Sequence, residues 1–144
     1  MDLWGNVIHV YEFGEDGKTR LFTLPTTAVE NKNTDICVVN YIDKESAELI
    51  VLKSDGRVKF TYKGDRASGG RNKFCPTDVA CDPSSHILFT EFYGRSVEML
   101  SSGGMYLCRL CQYEQIHPYT ISLYCNKLAC GFLKGKVIMF QYNK

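Results

Sequence analysis

The sequence has no long hydrophobic run, no secretion signal and no strong excess of either charge. Its longest aliphatic runs have four residues, as at 49–52, whereas a helix that spans a bilayer needs about 20. The N-terminal region lacks the basic stretch followed by an apolar stretch that marks a signal peptide. These absences predict a cytoplasmic protein with no membrane partner.

The composition is that of one soluble globular domain. The 144 residues include 17 Lys and Arg against 16 Asp and Glu, a net charge of +1. The apolar share of 44% and the charged share of 23% argue against disorder, which requires low hydrophobicity and high net charge. The near-neutral balance also argues against a dedicated nucleic-acid-binding protein, which usually carries a clear basic excess.

The seven cysteines do not indicate a disulfide-stabilised scaffold, because their number is odd and no secretion signal accompanies them. A C-x-x-C motif occurs at 108–111, but no second pair follows, so we expect neither a metal site nor another cofactor. Cys75, next to a proline in a loop, is expected to be the most exposed thiol. The remaining cysteines in apolar stretches are predicted to be small core residues: Cys37, Cys81, Cys108, Cys125 and Cys130.

Three similar segments each begin at a proline. Pro25 and Pro76 both precede an apolar run by 11 positions (36 − 25 and 87 − 76), and Pro118 precedes one by 10 (128 − 118). A second apolar run follows in each segment, at 49–52, 97–100 and 137–140. Internal periodicity of this kind is typical of repeat architectures.

Short turn motifs follow two of these runs. Ser54-Asp55-Gly56 and Ser102-Gly103-Gly104 combine glycine, which adopts positive φ readily, with residues whose side chains bond the local backbone. We therefore predict hairpins whose next strands lie at 58–62 and 105–110.

The N-terminal region fits the same pattern. Apolar residues at 7–11 and a second candidate strand at 19–24 flank a turn motif at 14–17. Because no stretch of the chain has a sustained 3.6-residue periodicity with helix caps, we predict an all-β fold.

Each repeat is predicted to be a four-stranded antiparallel sheet. The second strand, of the 87–92 type, is apolar on both faces, which indicates that neighbours cover both sides. In a β-sandwich the outer face of each sheet would be exposed to solvent, and apolar and polar residues would alternate more regularly along the strand. A four-stranded sheet packed between two like sheets is a propeller blade. We therefore predict a partial β-propeller, and an ordinary β-sandwich with similar hairpins is the alternative.

Three stretches resemble consecutive pieces of NHL repeats: 36–41, 50–57 and 76–82. They are most similar to the repeats at the C-terminus of tripartite-motif proteins, and the ending at 135–142 resembles the natural end of such propellers. The resemblance implies a six-bladed propeller that binds protein or RNA. It further implies a role in recruiting substrates for ubiquitin ligases of the tripartite-motif class.

The chain is too short to close such a ring. Six blades of about 40–45 residues need roughly 250, whereas 1–144 supplies three to three and a half blades. These are a part blade at 5–24, full blades at 25–63 and 76–112, and a part blade at 118–144. We expect the C-terminal portion of a longer protein. The alternatives are self-association through open blade edges and an open array.

Catalysis is not expected. Propeller enzymes such as lactonases and lyases would need polar ligands on the inner strands of several blades. Asp78 is the inner-strand carboxylate, but Thr120 occupies the corresponding place in the next repeat. A hydrolase or lyase is therefore the third-ranked function.

A glycine-rich loop at 63–73 is the candidate binding region. Its four cations, with one anion, suit an acidic peptide or RNA phosphates, and the aromatic residues Phe74, Phe92 and Tyr93 suit base stacking. The candidate binding residues are Lys63, Arg66, Arg71, Lys73, Phe92, Tyr93 and Arg95.

These observations predict a non-catalytic recognition module whose partner is a protein or a ubiquitination substrate. Single-stranded RNA binding by the same surface is the alternative. The cysteine and histidine clusters of RING and B-box domains are absent from the sequence, so this chain alone is not expected to transfer ubiquitin.

Overall fold

The computed structural model describes residues 5–64 and 73–142. Within these ranges the protein consists of β-strands and connecting segments, and no helix long and apolar enough to cross a membrane is present there. The strands are β1 (Leu24–Glu30), β2 (Ile36–Tyr41), β3 (Ala47–Leu52), β4 (Val58–Tyr62), β5 (Pro76–Cys81), β6 (Ile87–Glu91), β7 (Ser96–Leu100), β8 (Tyr106–Gln112), β9 (Pro118–Tyr124), β10 (Lys127–Phe132) and β11 (Lys136–Gln141).

The strands form three antiparallel sheets, each made of strands that follow one another in the chain. Sheet one contains β1 to β4, sheet two contains β5 to β8, and sheet three contains β9 to β11. The prediction of an all-β fold is confirmed.

Because consecutive strands are antiparallel, the connections alternate between the two ends of each sheet. We call one end the connector end; it carries 42–46, 92–95 and 133–135 together with the links between sheets at 63–64, 73–75 and 113–117. We call the other end the turn end; it carries 31–35, 53–57, 82–86, 101–105 and 125–126.

The predicted prolines and turn glycines have the expected local roles. Pro25 and Pro76 each lie at the start of an inner strand, directly before a register shift in the pairing with the next strand. A missing N–H is tolerated at a strand end or bulge. Gly56 and Gly104 have φ values of 90° and 91°, the left-handed conformation that these hairpin turns require.

Two hydrophobic clusters hold the sheets together. The first joins sheets one and two, with Val39 and Leu49 packing near Phe89. The second joins sheets two and three, with Leu88 packing near Leu128. Neighbouring residues Leu88 and Phe89 on β6 therefore point into different clusters, and sheet two is covered on both faces. This confirms the interpretation of the doubly apolar strand, and it is the arrangement expected of stacked propeller blades.

The N-terminal strands predicted at 7–11 and 19–24 are not formed. Residues 5–23 contain the expected turn and an isolated bridge between Phe13 and Arg20, and Leu24 begins β1. Val7 and Ile8 are more than 80% exposed. The apolar content of the segment predicted a strand, but a strand is stabilised only when a neighbouring backbone pairs with it.

Candidate functional site

The structure describes five of the seven predicted binding residues. Lys63, Lys73, Phe92, Tyr93 and Arg95 all lie at the connector end. The other two, Arg66 and Arg71, lie outside the described residues. Residues from two neighbouring repeats, between positions 63 and 95, are thus brought to one end of the molecule, although not all of these side chains touch.

Tyr93 and Lys73 form the centre of a contact group. The Lys73 ammonium lies 5.5 Å from the centroid of the Tyr93 ring, within the range of a cation–π interaction. Both residues also bind Glu45 of the β2–β3 loop. Lys73 Nζ donates to the Glu45 carboxylate at 2.8 Å, and the Tyr93 hydroxyl donates to the Glu45 backbone carbonyl at 2.9 Å. The loop of sheet one is therefore tied to the turn of sheet two.

Two aromatic rings extend this group toward sheet three. Phe92 and Tyr93 meet edge to face at 5.4 Å, and Phe92 stacks on the imidazole of His117 at 4.3 Å. His117 Nδ1 lies 2.8 Å from the Phe92 carbonyl oxygen. We call Glu45, Lys73, Tyr93, Phe92 and His117 the cation–aromatic row. It runs from the β2–β3 loop of sheet one, through the β6–β7 turn of sheet two, to the link that leads into sheet three.

The electrostatic environment keeps Lys73 charged and Tyr93 protonated. The hydrogen bond from Lys73 to Glu45 raises the pKa of the lysine, so its ammonium stays charged. Loss of solvent contact raises the pKa of Tyr93, although Lys73 opposes the effect, so the phenol remains a hydrogen-bond donor. Both side chains of the Lys73–Glu45 pair are more than half exposed, and a partner can reach them.

Lys63 and Arg95 lie apart from this row. Lys63 Nζ is 3.9 Å from the Glu48 carboxylate. Arg95 is exposed and has a φ of 51° at the end of the β6–β7 turn. Each adds an accessible cation to the connector end.

Apolar side chains recur at the connector end with the repeat. The first residue after the second strand of each sheet is large and apolar: Ile42, Phe92 and Leu133. Ile42 is 48% exposed and Leu133 is 55% exposed, and Phe92 is half-buried. The same loop position thus offers an apolar contact in all three sheets.

Sequence reasoning missed Glu45 and His117. Glu45 lies in a polar turn whose composition is typical of an ordinary solvated loop. His117 immediately precedes Pro118, as Cys75 precedes Pro76, and that repeat register is the signal that would have placed it at the connector end.

Phe74 is partly buried against the cluster between sheets one and two, where its ring meets Tyr62 and Phe89 edge to face at 5.5 and 5.8 Å. These contacts leave less of the ring open to a base than the sequence predicted. Cys75 is buried, so the expectation that it is the most exposed thiol is wrong. The chain passes from exposed Lys73 to buried Cys75 within three residues, and the loop-like composition of the segment does not indicate this.

Two of the cysteines predicted to be buried are exposed. Cys108 on β8 and Cys125 in a turn both reach solvent, whereas Cys37 and Cys130 are buried and Cys81 is partly buried. β8 is the outermost strand of its sheet, so Cys108 has no neighbour to cover it. Across 5–64 and 73–142 no group of three or more metal-ligating side chains comes together.

The inner-strand carboxylate Asp78 joins the sheets. Its Oδ2 accepts a hydrogen bond from the backbone N–H of Ile121 at 2.8 Å, and its Oδ1 accepts one from the Thr27 hydroxyl at 3.2 Å. Thr77 adds a bond to the Tyr119 carbonyl at 2.8 Å. These contacts link β1, β5 and β9, so the polar inner-strand residues stabilise the sheet arrangement.

Solved structures of virginiamycin B lyase and streptogramin B lyase are similar to this chain. Virginiamycin B lyase from Staphylococcus aureus, in a catalytically inactive histidine-to-alanine form with quinupristin, has a TM-score of 0.57 and 12% identity over 82% of this chain and 41% of its own. The selenomethionine-substituted lyase has a TM-score of 0.55 and 13% identity over 85% and 42%. A streptogramin B lyase gives 0.55 and 14% over 90% and 46%.

The chain therefore spans less than half the length of each of these lyases. No protein-family model matches it, and no curated protein matches it. At such low identity the likeness concerns the fold alone. Together with the three stacked antiparallel sheets, it shows that this chain is an all-β, partial β-propeller.

Proposed function

We propose that this chain is a non-catalytic recognition module that binds a protein partner through its connector end. The observation that carries the proposal is the cation–aromatic row, in which Lys73 of the link between sheets one and two contacts Tyr93, and Tyr93 contacts its neighbour Phe92 in the β6–β7 turn. Aromatic side chains that are already ordered lose little entropy on binding, and such residues are enriched at the centres of protein interfaces.

The apolar residues of the neighbouring loops support a protein ligand. Ile42 and Leu133 are exposed on either side of the row, so the connector end combines apolar area with cations and hydrogen-bonding groups. That mixture resembles a protein–protein interface more closely than a phosphate-binding surface, which would be dominated by cations.

The row is less suited to RNA. One face of Phe92 is already stacked on His117, and the Lys73 ammonium is paired with Glu45. A base or a phosphate would have to displace these partners. We therefore propose a protein partner, and RNA binding is the alternative that a titration with single-stranded RNA examines.

We propose a non-catalytic role because the inner-strand carboxylate, Asp78, is occupied by structural contacts. Its two carboxylate oxygens already accept hydrogen bonds from neighbouring strands, which argues for a structural role. The lyase activity of the structural neighbours belongs to those proteins and is not proposed here.

The resemblance to NHL repeats supplies the finer proposal. In tripartite-motif ubiquitin ligases this type of propeller recruits the protein that is ubiquitinated, and we propose that the partner of this chain is such a substrate, in the cytoplasm. Other domains would have to supply the ubiquitin transfer.

The test compares Tyr93→Ala with Tyr124→Ala as baits for a protein pool, each read by quantitative mass spectrometry. Tyr124 is 80% exposed but lies at the turn end, so it is a matched control. Proteins lost with Tyr93→Ala and kept with Tyr124→Ala are then purified and titrated calorimetrically. We expect affinity losses of about tenfold or more, typical of a central interface residue.

A parallel titration uses fluorescent single-stranded RNA at increasing salt. Salt-sensitive RNA binding that depends on Tyr93, with no protein lost from the Tyr93→Ala bait, would replace the protein proposal with the RNA one. Partners that depend on Tyr124 instead would move the binding surface to the turn end and contradict the proposal.

A further inference from the structure

Two thiols from different sheets meet inside the molecule. Cys37 on β2 of sheet one and Cys81 at the end of β5 of sheet two have their Sγ atoms 3.7 Å apart. A disulfide requires about 2.05 Å between the sulfurs, so a modest movement of the two side chains would bring them to bonding distance. The residues are 44 positions apart in the chain, and the contact crosses the interface between sheets one and two.

The two thiols differ in how solvent reaches them. Cys37 is completely buried, whereas Cys81 is partly exposed. Cys81 lines a cleft of about 180 Å³ at the turn end, together with Asn31, Lys32 and Tyr124. A small oxidant in this cleft can reach Cys81 and finds Cys37 directly behind it.

We propose that Cys37 and Cys81 are a peroxide-reactive pair that closes a disulfide between sheets one and two. Cys81 is the thiol that reacts with hydrogen peroxide, and Cys37 is the thiol that resolves the product.

The chemistry balances in two steps. The Cys81 sulfur, having lost its proton, attacks one peroxide oxygen; the O–O bond breaks, Cys81 becomes a sulfenic acid, and the other oxygen leaves as water. The Cys37 sulfur then attacks the Cys81 sulfur, the S–O bond breaks, and the Cys37 proton leaves with the hydroxyl as a second water. Two thiols are oxidised to one disulfide, and one peroxide is reduced to two waters.

The environment of the pair assigns these roles. Contact with Cys81 and burial together hold the pKa of Cys37 well above its usual range, and thiols react as thiolates. Cys37 is therefore the less reactive thiol toward a free oxidant, and its burial keeps such an oxidant away, whereas an oxidised Cys81 sulfur would lie directly against it.

The test treats the purified chain with hydrogen peroxide, blocks the remaining thiols and maps the peptides without reduction. We expect a peptide pair that joins Cys37 to Cys81, a mass decrease of about 2 Da for the linked pair, and reversal by dithiothreitol. Because Cys108 is exposed and does not line the cleft, it reports simple surface oxidation in the same sample. Thermal melting should rise by several degrees in the linked protein, since the bond closes a long loop.

Three variants sharpen the result. Cys81→Ser should abolish the link and leave Cys37 reduced, and Cys37→Ser should leave a sulfenic acid on Cys81 that dimedone traps. Cys108→Ser, at an exposed position outside the cleft, should form the link normally. The wild-type map stands even if a core variant folds poorly. Oxidation of Cys81 to higher acids without a link to Cys37, or a first link between other cysteines, would overturn the proposal.

Discussion

Sheets two and three derive from similar repeats, yet they differ in burial. Every residue of β6 and β7 in sheet two is buried. In sheet three, β10 alternates, and β11 leaves Val137 and Met139 about two-thirds exposed. Sheet two packs against a sheet on each side, whereas sheet three packs against sheet two alone within the described chain.

The difference shows that a strand's burial depends on the place of its sheet in the array. Val97 of sheet two is completely buried, and Val137 of sheet three, in the corresponding run, is 71% exposed. Both valines are the first residue of the second apolar run in their repeat. The hydrophobic content of a repeat therefore makes stacking favourable, but the cover over both faces of a sheet decides how much of that content is buried.

The largest expected effect comes from a core aromatic residue of sheet two. Phe89 is fully buried and contacts Tyr62 and Phe74 across the interface with sheet one. Phe89→Ala should lower the free energy of unfolding by about 3–5 kcal/mol, because it removes buried area and leaves a cavity. Urea unfolding followed by circular dichroism measures the change.

The comparison variant is Met139→Ala, on the edge strand β11 of sheet three. Its side chain is 66% exposed, so the change should stay within about 0.5 kcal/mol. Equal losses for the two variants would mean that the open face of sheet three is covered in solution, and would remove the distinction between the sheets.

The second effect concerns the inner strands. Asp78→Ala leaves the Ile121 N–H and the Thr27 hydroxyl without the carboxylate that they bond, and we expect a loss of about 2 kcal/mol. Thr120→Ala changes the corresponding residue of sheet three, which is exposed, and should cost less than about 0.5 kcal/mol. Unfolding by urea again provides the comparison, and a neutral Asp78→Ala would show that the sheets are held by apolar contacts alone.

The strands and turns could be predicted because their signals are local. Glycine at 56 and 104 fixes the hairpin turns, and the prolines mark the inner strands, whatever else surrounds them. The prediction of strands at 7–11 and 19–24 was wrong because a strand must pair with a neighbouring backbone. The sequence of the segment itself does not show whether such a neighbour is present.

The site was harder to predict for the same reason. Lys73, Phe92 and Tyr93 stood out as residue types, but their partners Glu45 and His117 come from other loops. Phe74, only one residue from Lys73, is packed against the core. Composition identifies residues able to bind a ligand, but only the packing of the sheets decides which of them reach the surface.

The smallest expected effect distinguishes the turns of sheets one and two. Asn31 and Asp82 accept the same pair of backbone hydrogen bonds in their turns, but only Asp82 can ionise. Burial opposes its charge, yet the hydrogen bonds from His86 and Ser84 outweigh that cost and keep the pKa of Asp82 below its ordinary value.

A carboxylate with a lowered pKa stabilises the fold above its unfolded pKa, near 3.9, and the contribution is lost as the pH falls through the folded value. Asp82→Asn gives sheet two the side chain of sheet one, and at neutral pH should cost about 0.5–1 kcal/mol. The difference in free energy of unfolding between Asp82→Asn and wild type should narrow between pH 5 and pH 2 in urea titrations. The free energy of unfolding of Glu114→Gln, a change at an exposed connector residue, should follow that of wild type in parallel. A difference in free energy of unfolding that stays constant with pH would mean that Asp82 stabilises its turn by its hydrogen bonds and size and not by its charge. The turns of the two sheets would then be equivalent.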